Sequence, residues 1–196
     1  KEMLQSENCC YIAGDDYVEG PDRRFVDMPS LLSPYVEGWF DYLFDYPLTP
    51  LIETTRGCPY SCTFCNDGPA IRSKIFSKPA EMIAEEFEYI GQRIKHSNQL
   101  IIADLNYGMY KEDLRSAAII RDTYEKYRWP ERIDASLGKS HPERILAVGK
   151  VINQGNTGIF RYGASFQSTD SNILKSIKRK NLPLQKFSGL SDLRFQ

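Results

Sequence analysis

A chain of 196 residues, 41% hydrophobic and 26% charged, is long enough for one domain with a sizeable core. Its 25 Lys and Arg against 26 Asp and Glu leave a net charge of -1, which gives no overall electrostatic reason to expect a nucleic-acid or membrane partner. No apolar run approaches the roughly 18–20 residues of a membrane span, the first residues lack the apolar core of a signal peptide, and an odd count of five cysteines predicts reduced thiols and a cytoplasmic location.

Residues 1–50 read as an N-terminal hairpin and linker. Residues 11–13 and 17–19 are short apolar-polar runs around Gly14-Asp15-Asp16, which predicts a hairpin. Pro21, Pro29, Pro34, Pro47 and Pro50 then punctuate an irregular connector, within which the aromatic-rich residues 36–46 predict a short helix. Residues 51–196 alternate between strand and helix. A short strand at 51–54 runs into a cysteine-rich loop. A helix follows at 79–95, with Ile83, Phe87, Ile90 and Ile94 at helical spacing and Pro79 at its start. Residues 100–105 (LIIADL) form a buried strand, 111–127 a helix and 132–137 a strand. Ser140-His-Pro-Glu143 predicts a capping box opening a helix to about residue 152. A fourth strand at 159–166 and a helix at 168–180 complete the pattern. Four strand–helix units imply a parallel sheet with right-handed crossovers. Ligands bind such sheets at the carboxyl ends of the strands, so the loops after the four strands should share one rim.

The loop after the first strand is "ETTRGCPYSCTFCNDG", Glu53 to Gly68. It holds three of the five cysteines, spaced C-x3-C-x2-C. Disulfides consume thiols in pairs, and a structural zinc site wants four ligands. Buried small hydrophobes are a poor account among Pro, Ser, Thr, Asn and Asp. Zinc would have to recruit His96, His141, Cys9 or Cys10. Thiolates are natural ligands of iron–sulfur clusters, and three of them leave one iron of a cubane open. Cys9 and Cys10 themselves read as structural residues of the hairpin. Lys175, Lys178, Arg179 and Lys180 read as a solvated helix end favoured by the helix dipole. Arg56 either pairs with Glu53 or tunes whatever the cysteines hold.

Cys58-x3-Cys62-x-Phe64-Cys65 resembles the motif of the radical S-adenosylmethionine (SAM) enzymes, including the aromatic before the last cysteine, and "PLIETTRGCPYSCTFC" extends the likeness through Glu53, Arg56 and Gly57. "SFQSTD" followed by "LKSIKRKN" resembles the fourth strand and helix of the branch that carries an upstream cobalamin-binding domain. The connector with Pro29, Pro34 and Trp39 resembles the link between those domains. The resemblance implies an α/β fold, a partial parallel (β/α) barrel of about four of the family's six units. It implies that Cys58, Cys62 and Cys65 hold a [4Fe–4S] cluster whose fourth iron is chelated by the amino and carboxylate groups of SAM. Reductive cleavage of SAM would then start radical chemistry on a substrate the sequence does not name.

The resemblance also implies positions for cofactor binding. Phe64 would neighbour the adenine. Where many members have Gly-Gly-Glu after the second strand, this chain has Asp104-Leu105-Asn106-Tyr107-Gly108, so Asp104 or Asn106 would accept from the SAM ammonium. Lys139 would meet the SAM carboxylate. Ser165, Gln167 and Ser168 would bond the ribose hydroxyls. For Lys139 and Ser168 a water-facing rim position is an equally good account. Further partners implied are an electron donor such as flavodoxin or ferredoxin, cobalamin on a domain outside these residues, and a further domain or partner subunit that completes the barrel. The rival is a non-catalytic iron–sulfur or zinc module.

Overall fold

A computed structural model describes residues 7, 9–21, 28–163, 167–179 and 181. The expected hairpin is present: β1 (Cys10–Ala13) pairs antiparallel with β2 (Asp16–Glu19), Tyr11 opposite Val18, as a separate two-stranded sheet. Cys9 and Cys10 are exposed free thiols; Cys10 lies in β1 opposite Glu19, and the Cys9 carbonyl accepts from the Gly20 N–H at 2.9 Å.

The helix expected over 36–46 is instead a series of turns ending in a 3-10 helix, Asp41–Asp45. Tyr35, Phe40 and Phe44 all pack into the core, Tyr35 meeting Phe40 edge-on with ring centroids 5.3 Å apart and Phe44 at 6.4 Å. An α-helix would spread residues five and nine apart around its circumference; tighter, irregular turns bring the three rings to one side.

The main sheet is parallel, in the order β3 (Leu51–Ile52), β6 (Gln99–Tyr107), β7 (Arg132–Leu137). Leu51 lies opposite Ile101, and Leu100 opposite Ile133. Between β3 and β6, two short strands that the sequence did not signal, β4 (Thr55–Arg56) and β5 (Phe76–Ser77), pair antiparallel and bracket the cysteine loop. Alternation along β6 buries Leu100 and Ile102 while Ala103 is exposed.

Helices α1 (Ala80–Arg93), α2 (Asp113–Tyr127) and α3 (Pro142–Ile152) pack α1 on α2 on α3. They meet Leu100 and Ile102 with Ile83, Phe87 and Ile90, with Ala117 and Ile120, and with Ile145, Val148 and Ile152. Each set repeats every three or four residues, one apolar stripe per helix.

The fourth expected strand, 159–166, is reduced to one parallel bridge, Phe160 to Ile133. Its cause is local. The Asn153 side chain at the end of α3 donates to the Phe160 carbonyl and accepts from the Phe160 N–H, both at 2.8 Å, so both backbone groups of Phe160 bond a side chain as well as lying beside β7. Residues 164–166 lie outside the described part. The last helix, α4 (Ser171–Ser176), is shorter than the expected 168–180; Asp170 caps it by accepting from Asn172 N–H at 2.7 Å and Ile173 N–H at 3.1 Å. Arg179, expected in a solvated cluster, is buried, and Lys180 lies outside the described residues. The structure is therefore α/β with a three-stranded parallel sheet, and no closed barrel is formed among the described residues.

Candidate functional site

The cysteine loop leaves β4 at the carboxyl end of the sheet. Gly57 turns the chain at φ +107°, and the Cys58 N–H donates to the Arg72 carbonyl at 2.9 Å, closing the loop base beside β5. Inside the loop the Cys65 N–H donates to the Cys62 carbonyl at 3.1 Å and the Gly68 N–H to the Cys65 carbonyl at 3.0 Å. Gly68 is required by closeness: a Cβ there would stand 2.3 Å from the Cys62 carbonyl oxygen. Cys58 and Cys62 are buried, Cys65 is exposed, and all three are free thiols.

Three unpaired thiols on one short loop are the right donor set for an iron–sulfur cluster. Among the described residues no three His, Cys, Asp or Glu side chains are arranged to hold one metal ion. A cubane presents its irons at separate corners, so thiolates that bind it need not converge on a point as zinc ligands must.

Three further segments meet this loop. From α4, the Ile177 carbonyl accepts from the Thr63 N–H at 3.1 Å. From the β7–α3 connection, Ser140 Oγ accepts from the Tyr60 hydroxyl at 2.7 Å, and Tyr60 also reaches Met109 Sδ at 3.3 Å. This contact replaces the expected capping box: Ser140 is turned to the loop, and His141 occupies the N-cap at φ +57° with no side-chain cap. From β6, Asn106 Nδ2 donates to Cys58 Sγ at 3.3 Å, and Asn106 Oδ1 accepts from Lys139 Nζ at 3.0 Å. Lys139 also donates to the Leu105 carbonyl at 3.4 Å. The rim that chain order implied is assembled by these contacts.

Each expected cofactor residue can now be placed. Phe64 is exposed on the loop. Asp104 is 2% exposed and accepts from Thr54 N–H at 2.7 Å and from the Thr54 hydroxyl. It is therefore a tie between the β3–β4 junction and β6, not an acceptor open at the rim. Burial pushes its carboxyl up to about 6, against the opposing pull of the Thr54 bonds. Asp113 at the start of α2 is likewise buried and pushed up to about 7, by burial first; the Tyr110 N–H it accepts at 2.9 Å opposes this and nearby Asp104 adds to it.

A cavity of about 480 Å³ opens at the carboxyl ends of β6 and β7, lined by Leu105, Leu137, Lys139, Arg161, Gln167 and Arg179 among others. Its described lining carries three cations and no carboxylate. Lys139 and Gln167 are thus brought to one cavity. Ser168 is not in its lining; its Oγ accepts from Asp170 N–H at 3.1 Å in the turn that opens α4. Ser165 lies outside the described residues. Arg56 forms a two-pronged ion pair with Glu53, the simpler of its two expected roles. The sequence missed the Tyr60–Ser140 link, the Asn106–Cys58 bond, Arg161 and Arg179. Each is a contact between segments far apart in the chain, and no spacing signals such a contact.

Comparison with known proteins agrees with the motif. Over 184 residues, 90% of the chain, it is 31% identical to 2-(S-pantetheinyl)-carbapenam-3-carboxylate methyltransferase of Streptantibioticus cattleyicolor. Over 187 residues, again 90% of the chain, it is 29% identical to the cobalamin-dependent radical SAM methyltransferase TokK of Streptomyces tokunonensis. The chain spans 27% of the length of each of these proteins. No protein-family model matches it. These matches support a relationship to the radical SAM enzymes, on the cobalamin-dependent branch.

Proposed function

We propose that this chain is the cluster- and SAM-binding part of a radical SAM enzyme, part of a (β/α) barrel whose remainder lies outside these residues, and that the whole protein transfers a methyl group. The observation that carries the reading is the free three-cysteine loop, set at the carboxyl end of a parallel sheet beside a cation-lined cavity of about 480 Å³. The methyltransferase names of both relatives support the reaction class.

Cys58, Cys62 and Cys65 would hold a [4Fe–4S] cluster, which when bound and reduced would supply the electron for cleaving the carbon–sulfur bond of SAM. The chain's own residues bind, orient and shield. Burial of Cys58 and Cys62 keeps water from two sulfurs, while exposed Cys65 marks the side open to an electron donor, a flavodoxin or ferredoxin. Lys139 sets a positive charge at the cavity wall for the SAM carboxylate, and Gln167 offers an amide for the ribose. Phe64 offers an exposed ring to the adenine. Ser165 and Ser168 complete the proposed binding set, and cobalamin would come from a domain outside these residues.

The test is anaerobic reconstitution. The wild-type chain should take up about four iron and four sulfide with the visible absorption of a cluster, and with dithionite and SAM it should yield 5′-deoxyadenosine. A colourless protein holding stoichiometric zinc would overturn the reading in favour of a zinc module.

A further inference from the structure

We propose that Asn106 acts on the cluster and not on SAM: its side-chain amide, backed by Lys139, holds the Cys58 sulfur by an N–H···S bond that makes the cluster easier to reduce. The inference rests on the functional reading above. Its ground is the chain of contacts Lys139 Nζ to Asn106 Oδ1 at 3.0 Å and Asn106 Nδ2 to Cys58 Sγ at 3.3 Å.

The direction of this chain is fixed by chemistry. An ammonium can only donate, so the face of the amide toward Lys139 must be its oxygen; the face toward Cys58 must then be the NH2. A ligating cysteine is a thiolate, which can only accept. Every group in the relay therefore meets its complement. Lys139 draws electron density toward Oδ1 and strengthens the N–H donor at the other end of the same amide. The amide is 1% exposed, so water does not compete for either end.

The position also has a structural cause. The pairing of β6 with β7 is irregular between Ile102 and Tyr107, and such irregularities re-aim side chains near sites. Tyr107, which strict alternation would set on the face of Ala103 and Leu105, is instead fully buried against Ser116 at 3.0 Å and edge-on to Phe160. Asn106 beside it reaches the cysteine loop. Its amide oxygen is already taken by Lys139, which leaves it a poor acceptor for a SAM ammonium.

A hydrogen bond to a ligand sulfur stabilises the more negative, reduced state of a cluster more than the oxidised one, and so raises the potential. The test is an electron paramagnetic resonance (EPR)-monitored redox titration of anaerobically reconstituted chain without SAM, so that any role in SAM binding cannot contribute. Asn106→Ala and Asn106→Leu should keep their iron and sulfide, but the equilibrium constant for one-electron reduction should fall about tenfold, 59 mV toward more negative potential. Lys139→Met should move it the same way by less, since it weakens the donor without removing it. A full iron content with an unchanged midpoint in the Asn106 variants overturns the inference while leaving the functional reading intact. If those variants fail to hold iron, Lys139→Met decides, and an unchanged midpoint there overturns the inference. A wild-type chain that takes up no iron or sulfide overturns the functional reading and this inference together.

Discussion

At the scale of single residues, the three loop cysteines should be separable from the two in the hairpin. Cys58→Ala, Cys62→Ala and Cys65→Ala should each abolish cluster uptake, because a cubane held by three protein ligands cannot lose one. Cys9→Ala and Cys10→Ala, exposed on β1 and just before it, should leave iron content at the wild-type level; iron analysis after reconstitution decides. Asp104 and Asp113 make a second residue-level prediction. Both carboxyls are raised in the folded chain, to about 6 and about 7. Between the unfolded value near 4 and these values, the folded state keeps protons that the unfolded state has released. Their contribution to stability is therefore fully present below about pH 4 and is lost as pH rises through 6 and 7. Chemical denaturation of the apo chain should show stability falling by on the order of a few kcal/mol from pH 5 to pH 8, with a shallower fall in Asp113→Asn. Glu88, held low at about 2 chiefly by its bond to Lys126, titrates below this window and does not mask it. A wild-type chain that grows more stable from pH 5 to pH 8 would refute the assignment.

At the scale of elements, the cysteine loop depends on the pieces that frame it. Lys78, just after β5, pairs with Glu86 of α1 at 2.8 Å with side chains 11% and 4% exposed, and the Lys78 N–H donates to the Thr54 carbonyl at 2.8 Å. Glu86→Ala would leave a buried ammonium unpaired and should cost about 3–5 kcal/mol in urea denaturation. Gly68→Ala tests the loop itself: with a Cβ 2.3 Å from the Cys62 carbonyl oxygen the loop must open, so iron uptake should fall sharply while far-ultraviolet circular dichroism stays near wild type. Much of this architecture was legible in advance. β6 announces itself by an apolar run, β7 by the polar-apolar alternation of RIDASL, and α1 and α2 by their three-to-four-residue stripes, because burial on one face leaves a period in the sequence. β4 and β5 were not legible: two residues carry no period. The fourth strand was over-read because Asn153, on the preceding helix, engages the backbone groups of Phe160. Chain order placed Asp104 at the rim correctly along the strand but not across it, and only the Thr54 contacts show that it faces inward.

At the scale of the whole molecule, the sheet is unevenly finished. Helices cover the face of Leu100 and Ile102, while Leu51 and Ala103 remain exposed on their strands, and β7 is bridged on its outer side at Ile133 alone among the described residues. Trp39, Tyr42, Tyr46 and Leu48 add exposed apolar surface along the linker. Open parallel edges and bare apolar faces invite pairing. The isolated 196-residue chain should therefore associate in solution. Sedimentation velocity should show a concentration-dependent shift above the monomer, and a strictly monomeric chain with a sharp two-state transition would show that these surfaces need no cover.

Lys139 stands at two addresses, bonded to Asn106 on one side and lining the cavity on the other. An anion that drew its ammonium into the cavity would slacken its hold on the amide, and so change how strongly that amide donates to Cys58. Thermodynamic linkage makes such a connection reciprocal: by whatever factor an occupant of the cavity changes the ease of reducing the cluster, reduction must change the affinity for that occupant. A single side chain thus makes the order of events at this rim a measurable quantity, read as the difference between ligand dissociation constants for the oxidised and the reduced protein.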